Sequence, residues 1–90
     1  MTSREAQIIS AILDCAHDSE DGQFTDSVLH TVAGVKLQSR AQIPPTLGEF
    51  NAALDIIRQR GWMTAIISTV SGKRKWSIND AGEAARLELV

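Results

Sequence analysis

The stretch that decides the fold runs from Thr46 to Gly82 and reads TLGEFNAALDIIRQRGWMTAIISTVSGKRKWSINDAG. Its first part is a helix. Thr46 and Glu49 form a T-x-x-E capping box, in which side chains satisfy the free amides of a helix start. Leu47, Phe50, Leu54 and Ile57 then recur at helical spacing with Ala53 beside them, so one face is apolar. Arg58 and Arg60 precede Gly61, which suits the last turn of a helix and the left-handed residue after it. From Met63 to Thr69 the residues become β-branched and predict a strand. Ser71-Gly72 signals a turn, and Trp76-Ser77-Ile78 reads as the returning strand with Trp76 and Ile78 on one face. Asp80 and Glu83 form a D-x-x-E pattern that predicts the opening of a last short helix reaching Leu89.

Two further helices precede this stretch. Thr2 and Glu5 make another capping box, and Ile9, Ile12, Leu13 and Ala16, widened by Ile8 and Cys15, predict a helix over residues 3–17. The polar run Asp18-Ser19-Glu20-Asp21-Gly22 predicts its end. A second helix is expected from Thr25 or Asp26, with Phe24 and Leu29 as a hydrophobic staple and Val28, Leu29, Val32 and Val35 as its buried face. Gly34 is a candidate end, because glycine costs about 1 kcal/mol against alanine inside a helix. Residues 37–43 read equally as continued helix or as a short extended piece, and the chain must leave helical geometry before Pro44-Pro45.

The order helix, helix, helix, hairpin, short helix resembles the winged-helix branch of the helix-turn-helix superfamily. Leu54, Ile57 and Gly61 match a helix-ending pattern common there. Ile78, Asn79 and Gly82 match a segment after the wing, with Asn79 where threonine is frequent. The resemblance covers the second half of the chain well and the first half only by helix count. It implies an α+β, mainly α fold: a three-helix core, a two-stranded β-hairpin wing and a short C-terminal helix in one domain over residues 1–90. Small phage, plasmid and bacterial regulators resemble this plan, so the resemblance implies double-stranded DNA as the partner. The third helix would enter the major groove. Asn51 would then be placed to read adenine, and Arg58 guanine or a phosphate. Lys73, Arg74 and Lys75 would lie on the backbone, with Lys36 and Arg40 adding phosphate contacts if they share that side.

Charge cuts both ways. The chain of 90 residues has a net charge of −2, which alone argues against nucleic acid. Residues 1–26 hold six acids and one base, whereas residues 27–78 hold seven bases and two acids, so the middle is basic. Glu49 and Asp55 would be unfavourable in a DNA groove, although Glu49 is engaged in its cap. The alternative function is therefore a winged-helix module that binds a protein, such as a host factor.

Other classes are disfavoured. The chain has no nucleophile elbow and no phosphate-cradling glycine loop, and is not expected to be an enzyme or to need a cofactor. Counting Asp18 as the first ligand of a calcium loop puts Leu29 at the twelfth position, where glutamate is required. Cys15, His17 and His30 lack metal-ligand spacing, and Cys15 reads as a small core residue. A single cysteine fits a cytoplasmic setting, and no apolar run reaches membrane-spanning length. The last helix is rich in small residues (Ala81, Ala84, Ala85, with Leu87, Leu89 and Val90) and is expected to cover either its own core or its copy in a homodimer.

Overall fold

The computed structural model describes residues 1–19, 23–67 and 69–89. Four helices and three short strands follow in the order α1 (Ser3–Asp18), β1 (Phe24–Thr25), α2 (Asp26–Ser39), α3 (Leu47–Arg60), β2 (Met63–Ile67), β3 (Arg74–Ile78) and α4 (Asp80–Glu88). The protein is α+β and mainly helical, with an antiparallel sheet in the order β1-β3-β2. Among the described residues no helix is long and apolar enough to cross a membrane.

The α1 helix is the centre of the core. Its residues Ile8, Ile9, Ala11, Ile12, Leu13, Cys15 and Ala16 are buried, and α2, α3 and α4 all pack around it. Both capping boxes form as the T-x-x-E spacing requires: Thr2 with Glu5, and Thr46 with Glu49. Phe50, Ala53, Leu54 and Ile57 turn the inner face of α3 onto this core, and Trp76 supplies its largest buried side chain. Burial pushes the Cys15 thiol above its ordinary range.

Several expectations are corrected. The expected β-hairpin forms from β2 and β3, but the sheet has a third strand, because Phe24 and Thr25 pair with Trp76 and Lys75. The inward face of α2 is Leu29, Ala33, Gly34 and Leu37, with Val32 half-buried, whereas Val28 and Val35 are exposed. The centre of the buried row lies about 160° around the helix from the centre of the valine row. Gly34 does not end α2; it is buried, and a Cβ there would lie 3.5 Å from the Pro44 Cβ. The helix continues to Ser39, and Ala41 then adopts a positive φ of 57° that turns the chain toward Pro44. Leu47, the first residue of α3, is exposed, so the apolar stripe begins at Phe50.

The cap of α4 is Asn79 rather than Asp80. An amide both donates and accepts, and Asn79 uses both capacities. Its side-chain oxygen accepts from the Gly82 amide at 2.9 Å, and Nδ2 donates to the Gly61 carbonyl at 2.8 Å. Glu83 is left to pair with His17 and Arg86. Within α4, Ala85 is buried while Ala81, Ala84 and Leu87 face outward. Of the expected chain features, Glu20, Asp21, Gly22, Ser68 and Val90 lie outside the described residues.

Candidate nucleic-acid interface

The outward side of α3 follows from its inward one. With Phe50, Ala53, Leu54 and Ile57 buried, the residues Gly48, Asn51, Ala52, Asp55, Arg58 and Gln59 are exposed. Gly61 closes the helix in the left-handed conformation, φ 69° and ψ 28°. The chain then turns through Trp62 into β2. The Trp62 carbonyl is approached so closely by α4 that only a residue without a side chain fits at Gly82. The end of α3, the wing and the start of α4 are thereby tied together.

The wing pairs Met63 with Ile78, Thr64 with Ser77, Ala65 with Trp76, Ile66 with Lys75 and Ile67 with Arg74. Lys73 therefore sits where the turn enters β3, and Arg74 and Lys75 lie on the strand itself rather than at the tip. Lys73 and Lys75 are exposed and form no ion pair with any described residue. Arg74 is different. Its guanidinium lies 2.6 Å from the Asp26 carboxylate at the start of α2 and over the Trp76 ring, 4.9 Å from the centroid.

Two acids bear on the Arg74 guanidinium. Hydrogen bonding to Asp26 raises the Arg74 pKa, and the Asp55 carboxylate of α3 adds to the effect. The α3 helix packs beside β2, which sets it next to the wing. Burial opposes ionisation of Asp26, but the hydrogen bonds from Arg74 and Trp76 outweigh it and hold the carboxyl below its ordinary range. Asp55 also stands 3.5 Å from Arg58 in an exposed pair. The face thus carries Arg58, Lys73, Arg74 and Lys75 against Asp26 and Asp55, a modest positive excess interrupted by two acids.

Two predicted contributors are not brought to this face. Lys36 pairs with Asp18 at 3.0 Å, and Arg40 pairs with Asp14 and approaches the Ser10 hydroxyl. Both are directed at α1. Asn51 and Arg58 are outward on α3, as the helical spacing implies. The residue that sequence reasoning missed is Asp26. The sequence marks it only as a possible start of the second helix, and nothing local to it signals a partner on β3.

Four helices around a small antiparallel sheet, with a ribbon beside the third helix, are consistent with a winged-helix-like fold. A solved structure with a similar fold is that of Cdc6p from Pyrobaculum aerophilum. It matches at a TM-score of 0.70 and 17% identity, over 99% of this chain and 24% of that one. The chain thus spans about a quarter of the length of Cdc6p, and at this identity the likeness is one of fold. No family model matches the sequence. No curated protein matches it either.

Proposed function

We propose that the domain binds double-stranded DNA, as a small transcriptional regulator does, with the outer side of α3 in the major groove and the wing on the phosphate backbone. The observation that carries this reading is the pair Lys73 and Lys75, two exposed cations without a carboxylate partner among the described residues, on a ribbon whose β2 strand packs beside α3. The likeness to a domain-sized part of Cdc6p supports the fold on which the reading depends. Lys73 and Lys75 would neutralise phosphates and contribute affinity that is independent of sequence and lost with salt. Asn51 and Arg58 would supply the contacts that distinguish bases. Binding of this kind needs neither catalysis nor a cofactor.

Substituting Lys73 and Lys75 together by alanine tests the reading. Binding to duplex DNA should weaken by a similar factor for all sequences, and the slope of log affinity against log salt should fall by about 2. An unchanged slope would exclude the wing. A second reading, protein recognition, is favoured by the exposed apolar residues Ile66, Ile67 and Val70 on the same ribbon. Heparin separates the two: retention that disappears with added salt favours DNA, and no retention favours a protein partner.

A further inference from the structure

Among the described residues, Arg74 is the one wing cation with an ion-pair partner. Asp26 Oδ2 accepts from Arg74 Nη2 at 2.6 Å, and Oδ1 lies 3.4 Å from Arg74 Nε. The same Oδ1 accepts from Trp76 Nε1 at 2.5 Å. Thr25, Asp26, Ser27, Lys73 and Arg74 line a shallow groove where α2 meets the wing. The side chains of Arg74 and Asp26 are 41% and 39% exposed, so water reaches the pair and its net strength is small.

We infer that Asp26 is a latch on Arg74: it holds the third wing cation neutralised until a phosphate displaces the carboxylate, and so sets the affinity and salt dependence of the DNA face. This rests on the DNA reading above. Three features argue for it. A guanidinium offers a bidentate fork to phosphate as readily as to carboxylate, so exchange conserves its hydrogen bonds. Asp26 keeps the Trp76 indole donor after Arg74 leaves, and the buried indole keeps its acceptor, so opening orphans no buried polar atom. Arg74 stands next to two cations that have no such restraint, so release adds its charge to an existing cluster.

Asp55 supplies the control. It is a second carboxylate, on the outer side of α3, and its ion pair is with Arg58 rather than with Arg74. Removing any acid from a DNA-binding face weakens repulsion of phosphate, whereas a latch acts only through the residue it holds. A double-mutant cycle on a mixed-sequence duplex therefore decides the matter. Asp26→Asn should strengthen binding several-fold and steepen the salt slope by about 1, the value for one added phosphate contact. In an Arg74→Ala background the same substitution should change binding less than twofold. Equal gains in both backgrounds, or a loss on Asp26→Asn alone, would overturn the latch. If the wild type binds salt-dependently and the cycle shows no coupling, the latch fails while the DNA reading stands. If neither wild type nor Asp26→Asn binds, both fall. Should Asp26→Asn unfold, the unsubstituted protein gives the answer by NMR. Saturation with the duplex should shift the Arg74 Nε–H signal while the Trp76 indole signal moves little, and a stationary Arg74 signal overturns the latch.

Discussion

A methyl group at residue 82 has nowhere to go. Built on the backbone of Gly82, it would lie 2.0 Å from the Trp62 carbonyl oxygen and 2.8 Å from the Ile78 Cγ1. The first obstacle is backbone, which cannot swing aside like a side-chain end. Gly82→Ala should therefore destabilise the fold by about 3 kcal/mol, read as a lower midpoint in urea. Gly48→Ala is the opposite case: it sits on the exposed side of α3 with only the Thr46 hydroxyl at 4.0 Å, and should stabilise by about 0.5–1 kcal/mol through helix propensity. Glu49 offers a pH test at the same scale. A hydrogen bond from Arg4, with another from the Thr46 amide, lowers its pKa from the ordinary 4.5 to about 2. A depressed carboxyl stabilises the folded state fully above its unfolded pKa and loses that contribution as pH falls through the folded one. The stability difference between the wild type and Glu49→Gln should thus be constant above pH 4.5 and shrink toward pH 2. A difference that does not change with pH would exclude the ionised pair.

Elements were legible where the signal is local and opaque where it is not. The two T-x-x-E boxes and the glycine after α3 each specify structure within a few residues and formed as read, and the β-branched run forms β2 over Met63–Ile67, shorter than the Met63–Thr69 its residues predict. The strand β1 has only two residues, too few for a period, and exists because α2 begins against β3. The buried face of α2 was misread for a related reason. Valine content says nothing about which side of a helix α1 will cover, and Ala33 and Gly34 are inside because they are small. The junction of β1, β3 and α2 is held in part by Trp76, a residue 1% exposed whose indole N–H donates to Asp26. Trp76→Phe keeps most of the apolar area but removes that donor. The loss should be about 2 kcal/mol, combining a hydrogen bond to a charged acceptor with a small cavity. A double substitution with Asp26→Asn, less than additive in the same denaturation assay, would show that the two losses share this bond.

Over the whole molecule, the charge pattern of the sequence folds onto itself. The acid-rich residues 1–26 and the base-rich residues 27–78 appear in sequence as opposite poles, yet the ion pairs Lys36–Asp18, Arg40–Asp14 and Arg74–Asp26 join one to the other. Three of the seven predicted interface residues are spoken for in this way. That outcome was invisible in the chain because the partners are separated by 18, 26 and 48 positions. Asp14 differs from the other two acids in pairing with two cations among the described residues. It receives Arg40 from the end of α2 and Arg86 from α4, the latter at 3.3 Å, and so joins three helices through one carboxylate. Its side chain is 13% exposed, whereas Arg40 and Arg86 are 33% and 21% exposed. Removing the carboxylate leaves two partly desolvated guanidiniums facing each other, Arg40 without its ion-pair partner and Arg86 with Glu83 alone, a worse state than an exposed pair broken on the surface. Asp14→Ala should cost about 2 kcal/mol, a value below that of a fully buried pair because both arginines can turn toward water. Arg86→Met tests the mechanism. It removes one of the two cations while keeping an aliphatic stem of similar length, so in the Asp14→Ala background it should recover part of the loss. If Arg86→Met adds its full cost there, measured as a further fall in unfolding midpoint, charge at this junction is not what binds α4 to α1.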